Sequence, residues 1–147
     1  MRTPAERHIV VGVDGSAEAD AALSFAVTEA RLRGLRLRVV CAWEPSASAY
    51  VGEAFAATAD AFLAAEHHAD DVLHTALERI PHEGVRIETF SVEGRPATVL
   101  IEQAVGAELL VVGSRGRGTA KRLFLGSVSN EVVHHAPSPV TVVPLHR

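Results

Sequence analysis

Short apolar runs alternate with longer amphipathic stretches along this chain, and that alternation predicts its elements. His8-Ile-Val-Val-Gly-Val-Asp14 is apolar at consecutive positions, the form of a strand buried on both faces. Ser16 suits a helix N-cap, with Glu18 in the first turn where the helix dipole favours a carboxylate. Ala-rich sequence carries that helix to Arg33, and Gly34 supplies its stop. Leu35–Ala42 predicts a second strand, and Pro45 with several serines marks a loop from Trp43 to Gly52. Phe55, Ala59, Phe62, Ala69, Leu73, Ala76 and Ile80 recur at three- and four-residue spacing, which predicts a long helix over Glu53–Ile80 ended by Pro81. Val85–Val92 alternates as a third strand, and Pro96 fits the first turn of a short third helix. Glu108–Val112 follows as the fourth strand, Ser127–Ala136 as the fourth helix and Val140–Val143 as the fifth strand.

Strand and helix thus alternate throughout, which calls for an α/β fold: a five-stranded, mostly parallel sheet with helices on both faces. The expected strand order is 3-2-1-4-5, with the first three strands winding one way and the last two the other. No internal repeat, linker or low-complexity tract interrupts residues 1–147, so a single domain is expected.

Composition narrows the function. A chain of 147 residues with 48% hydrophobic and 22% charged residues is ordinary for a globular domain that needs no disulfide or metal staple. No run approaches the length of a membrane span, and the N-terminus lacks a signal peptide's cleavage pattern, so a cytoplasmic location is expected. Cys41 sits among valines and reads as a buried core thiol. The net charge of −4 argues against a nucleic-acid or anionic-membrane partner. Residues 113–126, however, hold Arg115, Arg117, Lys121 and Arg122 and no acid. On charge alone a solvated loop is the simpler reading of that island; a small anionic ligand is the other.

The stretch from Gly113 to Asn130 decides between them. It leaves the fourth strand and ends at a helix start, and in open parallel sheets ligands sit beyond the carboxyl ends of strands where the strand order reverses. Asp14, after the first strand, is expected to meet this loop there. Glycines allow positive φ and close backbone approach, turn amides can form an anion-binding nest, and Gly126-Ser127 opens a helix whose free N–H groups attract phosphate. Ser127 and Ser129 add hydroxyl donors. The loop is neither a Walker A sequence nor a dinucleotide fingerprint. Its pattern is Gly-x2-Gly-x9-Gly-Ser, at Gly113, Gly116, Gly126 and Ser127.

That spacing resembles the nucleotide-binding signature of the ATP-binding branch of the universal stress protein family. The resemblance extends over nearly the whole chain, through Val11-Gly-Val-Asp14-Gly-Ser, Val40-Cys-Ala42-Trp43, Gly94-Arg-Pro96 and the closing Ala136-Pro-Ser-Pro-Val-Thr-Val-Val. It implies a Rossmann-like fold of the adenine nucleotide alpha hydrolase type and an ATP-binding stress-response regulator, with Mg²⁺ accompanying the nucleotide. It implies that Gly12, Val13 and Ala42 border adenine and that Asp14 approaches the ribose or a phosphate-bound metal. Gly113, Gly116, Gly126, Ser127, Val128 and Ser129 would hold ribose and phosphates. Arg115 joins this set as a cation that screens phosphate charge; Arg117, Lys121 and Arg122 could do the same or stay solvated. For Asp14 itself, turn formation or helix capping remains the plainer alternative.

Other chemistries find less support. His67 with Asp71, and Asp70 with His74, lie one helical turn apart, but further ligands are not evident and a solvated helix face is the expectation. His134 and His135 suit the negative end of the last helix. No Gly-x-Ser-x-Gly elbow occurs, and residues 113–130 hold no carboxylate or histidine to activate water, so no catalytic residue is assigned. A weak ATPase or nucleotidyl transferase, using Asp14 or Glu131, is the first alternative. A dimeric interaction module with a vestigial site is the second. Val140-Thr-Val-Val143, bracketed by Pro139 and Pro144, reads as an edge strand through which two copies pair.

Overall fold

A computed structural model describes residues 1, 3, 6–45, 55–115 and 125–145. Five strands, β1 (His8–Gly12), β2 (Arg36–Trp43), β3 (Ile87–Glu93), β4 (Leu109–Gly113) and β5 (Val140–Val143), form a parallel sheet in the order β3-β2-β1-β4-β5. The helices are α1 (Ala17–Arg33), α2 (Phe55–Arg79), α3 (Pro96–Gln103) and α4 (Ser127–His135). Odd-numbered strand residues such as Ile9, Val11, Leu37 and Val39 pack with α1 and α2. Even-numbered ones such as Val10, Val40, Leu110 and Val112 pack with α3 and α4. Burial on both faces is why the central strands read as unbroken apolar runs.

Local chemistry sets the helix ends. The Ser16 hydroxyl accepts from the Ala19 amide at 3.1 Å, and Gly34 closes α1 with φ 64°, its amide reaching the Ala30 and Arg31 carbonyls. Leu35 donates to Ala30 at 2.9 Å, so it completes the helix stop and β2 begins one residue later than the sequence predicts. At its far end β2 gains Trp43, whose carbonyl accepts from Gly94 at 2.8 Å. β3 begins at Ile87 rather than Val85, because the Val85 amide turns back to His82 around Gly84, where φ is 80°.

On α2 the predicted stripe holds at Ala69, Leu73 and Ala76, which are buried, and Phe62 meets Trp43 edge-on at 6.4 Å. Ala59 is exposed and does not belong to it. The predicted start of that helix at Glu53, and the loop from 46 to 52, lie outside the described residues. His67, His68 and His74 lie on the exposed face, His74 within 3.1 Å of Glu78. Among the described residues no helix is long and apolar enough to cross a membrane, and no cluster of His, Cys, Asp and Glu could hold a metal ion by itself.

Strand order reverses at β1, which has β2 on one side and β4 on the other. The carboxyl ends of β1 and β4 therefore face a crevice that no crossover helix covers directly. Leu37, fully buried at the centre of β2, measures how much this frame depends on tight packing. Leu37→Ala should lower unfolding free energy in urea by about 2–5 kcal/mol. Leu63→Ala, at a position 51% exposed, should change it by less than about 0.5 kcal/mol.

Candidate functional site

Beyond the end of β1 the chain turns sharply. Val13 donates to the Val40 carbonyl at 2.9 Å, the Asp14 carboxylate accepts from the Ser16 amide at 2.9 Å, and Gly15 takes φ 86°. Asp14 is therefore a turn residue in fact, held at the mouth of the crevice by that bond. The turn reading and a ligand role do not compete, because a carboxylate has acceptor capacity beyond one amide.

The other wall begins where β4 ends. The Ser114 amide bonds the Val143 carbonyl at 2.9 Å, and the Ser114 carbonyl accepts from the Gly126 amide at 2.7 Å and the Ser129 hydroxyl at 2.8 Å. The two ends of the glycine loop are thus fastened together at their neck. Residues 116–124 between them, which include the candidate Gly116 together with Arg117, Lys121 and Arg122, lie outside the described residues. Gly126 is the N-cap of α4, and no side chain caps that helix, unlike α1. The first intrahelical bond is from Asn130 to Gly126, so the amides of Ser127, Val128 and Ser129 precede the ladder and have no partner within it.

Two expectations for this loop need correcting. Gly126 has φ −71°, and Gly12 and Gly113 are not in the left-handed region either, so none of the three is required by positive φ. At Gly12 and Gly113 the requirement is space. A Cβ on Gly113 would lie 2.9 Å from the Glu18 backbone, and one on Gly12 would lie 2.7 Å from the Leu100 side chain. The Ser129 hydroxyl, buried at 2% exposure, gives its hydrogen to the loop neck. What Ser129 keeps outside the helix ladder is its amide.

Together these elements enclose a cavity of about 280 Å³. Ten of the sequence-derived candidates line it: Gly12, Val13, Asp14, Ala42, Gly113, Arg115, Gly126, Ser127, Val128 and Ser129. Six further residues contribute: Ser16, Ala19, Val40, Pro96, Leu100 and Val112. Val40 and Val112 share the even-numbered face with Ala42, and Leu100 follows Pro96 by one helical turn. Strand parity and helix spacing would have pointed to them. The cavity is amphipathic. Val40, Ala42, Pro96, Leu100, Val112 and Val128 contribute apolar lining, while Asp14, Ser16, Arg115 and the first residues of α4 contribute polar groups. Glu131, the other acid near α4, is bound to Arg95 at 2.8 Å, and that pair ties α4 to the start of α3.

The sequence profile of the universal stress protein family matches residues 6–144. The chain belongs to the universal stress protein family. It is 39% identical over 139 residues to a universal stress protein from Thermus aquaticus, covering 92% of this chain and 96% of that one. A Mycobacterium bovis universal stress protein is 36% identical over 143 residues, 95% of this chain, but the chain spans only 46% of that relative's length. Among solved structures, the Archaeoglobus fulgidus universal stress protein in complex with dAMP matches with TM-score 0.66 and 27% identity, over 93% of this chain and 97% of that one. A universal stress protein in complex with cAMP matches with TM-score 0.61 and 28% identity, over 94% and 96%.

The two crowded glycines should respond differently to an added methyl group. In Gly113→Ala the new Cβ meets backbone, which cannot rotate away, so stability should fall by about 1–3 kcal/mol in urea. In Gly12→Ala it meets the flexible end of Leu100, so the loss should be smaller and Leu100 should shift within the cavity.

Proposed function

We propose that this family member is an ATP-binding regulatory protein of the stress response, with the nucleotide held in the cavity between β1, β4 and the start of α4. The observation that carries the reading is the cavity's mixed lining beside an uncapped helix start. The apolar residues suit a base, and the uncapped N-terminus of α4 with Arg115 suits phosphates. The relatives in complex with dAMP and cAMP support an adenine nucleotide. Gly12, Val13 and Ala42 border the base, Asp14 faces the ribose or a phosphate-bound Mg²⁺, and Gly113, Gly126 and Ser127–Ser129 take the phosphates. Gly116 belongs to the same assignment by its place in the motif. Asp14 supplies a single carboxylate, so Mg²⁺ would be held chiefly by the nucleotide's own phosphates and water.

A hydrolytic role gains nothing from Glu131, whose carboxylate is held by Arg95. We therefore read ATP as a regulatory ligand in a cytoplasmic protein. If the site were vestigial, denaturing the purified protein would release no adenine nucleotide and titration with ATP would give no signal. The expected result is binding of about one ATP per chain, weakened about tenfold or more by Asp14→Ala, a change of about 1.4 kcal/mol. Asp70→Ala, which removes the same charge from the exposed face of α2, should leave affinity within about twofold, as a screened distant charge does. Equal affinity in the two variants would remove Asp14 from the site.

We also propose a homodimer paired through β5. In the β4–β5 ladder the Pro139 and Val143 carbonyls accept from Leu110 and Ser114. Alternation along a parallel ladder then turns the peptide groups of Val140 and Val142 away from β4, toward the sheet edge. A second copy related by a two-fold axis can pair with them. Sedimentation at tens of micromolar should show a dimer, and Val142→Pro, which removes one outward donor, should give a folded monomer. A monomeric unsubstituted protein would end this proposal.

A further inference from the structure

We propose that Leu100 sets the size limit of the base subsite, so that the cavity admits an unsubstituted purine and refuses one carrying a bulky group. The inference rests on the nucleotide reading above and adds to it the residue that decides selectivity. It starts from the strand register. In the β1–β2 ladder Gly12 stands level with Val40, and β4 continues from Val111, the partner of Val11, to Val112. Val40, Gly12 and Val112 thus form one row across the three central strands, and all three line the cavity. The two valines pack with the even-numbered face, toward α3 and α4. The middle of the row has no side chain.

Leu100 fills that gap. A Cβ on Gly12 would lie 2.7 Å from Leu100 Cδ1, 3.0 Å from Cδ2 and 3.4 Å from Cγ, so the leucine comes down onto β1 where the row is empty. Among the apolar residues that line the cavity it has the largest side chain, the rest being valine, alanine or proline. It is also held in place. Its carbonyl accepts from the Ala104 amide at 2.9 Å, and the Arg95–Glu131 pair at 2.8 Å ties the start of α3 to α4. Ala97 and Val99 on the same helix are buried with it. Side chains packed in this way resist displacement, so the limit that Leu100 sets is a firm one.

The position matters because Gly12 is one of the residues assigned to the base. Leu100 occupies the space between β1 and α3 into which the cavity would otherwise extend. Shortening it to alanine removes Cγ and both Cδ atoms, and neighbouring side chains collapse only partly into such a space. The cavity therefore deepens beside Gly12. Apolar pockets discriminate by what fits, at about tenfold or more for a group as small as a methylene. A purine substituent that meets Leu100 in the parent protein gains room in the shortened variant.

The test measures affinities of the full chain for ATP, N6-benzyl-ATP, 2-methylthio-ATP and 8-bromo-ATP by calorimetry. Its readout is each analogue's affinity relative to ATP, a ratio that a general loss of stability leaves alone. At least one analogue should bind the parent protein about tenfold or more weakly than ATP does. In Leu100→Ala that ratio should recover by about tenfold or more, and the analogue that responds identifies the purine edge facing α3. Leu100→Val removes one carbon, folds more readily and should move the same ratio the same way by less. Leu23→Ala, at a fully buried position of α1 on the other face of the sheet, should leave every ratio where it was. The proposal is overturned if the parent binds all three analogues as tightly as ATP. It is overturned equally if neither Leu100 variant moves any ratio, or if Leu23→Ala moves them as much. A parent protein that binds no ATP would instead remove the nucleotide reading, and this inference with it.

Discussion

The main-chain carbonyl of Ser114 accepts two hydrogen bonds, from the Gly126 amide and from the buried Ser129 hydroxyl, and the site depends on that junction. It joins the end of β4 to the start of α4 across the whole glycine loop. Val132 and the Glu131–Arg95 pair hold the body of α4, and this junction fixes its first turn, with the amides of Ser127–Ser129, against the end of β4. The hydroxyl is shielded from water, so its bond to a carbonyl is not exposed to solvent competition. The serine that looked like a phosphate donor instead fixes the geometry in which neighbouring amides can act as donors.

That junction is useful only because strand order reverses at β1. Were β4 to lie outside β2, Asp14 and the glycine loop would sit at different places along the sheet edge. The reversal brings the turn after β1 and the neck after β4 to opposite walls of one crevice, and tight packing narrows it. At Gly12 and Gly113 there is little room for a Cβ, which would press on the Leu100 side chain or the Glu18 backbone. Apolar residues from β2, β4 and α3 complete the lining. The mixed lining follows from strand parity, which supplies Val40, Ala42 and Val112, and from the turn and helix ends, which supply the polar groups.

Much of this was legible in the sequence because its causes are local. The five apolar runs, the Ser16 cap and the Gly34 stop each depend on residues within a few positions, and all were placed correctly. The boundaries that moved were decided by main-chain bonds the apolar pattern does not show, some within a turn and one from another part of the chain. Leu35 joined the helix stop through Ala30, and Trp43 joined β2 because Gly94 bonds its carbonyl. The same distinction holds at the site. Strand-end residues could be named from their position, but the role of the Ser129 hydroxyl and the crowding at Gly113 depend on contacts that no spacing reveals.

The central claim is that one cavity, formed by the β1 turn and the loop neck, is where the proposed nucleotide binds. Hydrogen exchange measured with and without saturating ATP and Mg²⁺ tests it most directly, because amides that bond phosphate or are shut off by a ligand exchange more slowly. The account predicts slowed exchange concentrated in residues 12–16, 113–115 and 126–130, with β3 and the far end of α1 unchanged. Uniform slowing across the domain, or protection centred elsewhere with these three segments unaffected, would contradict it.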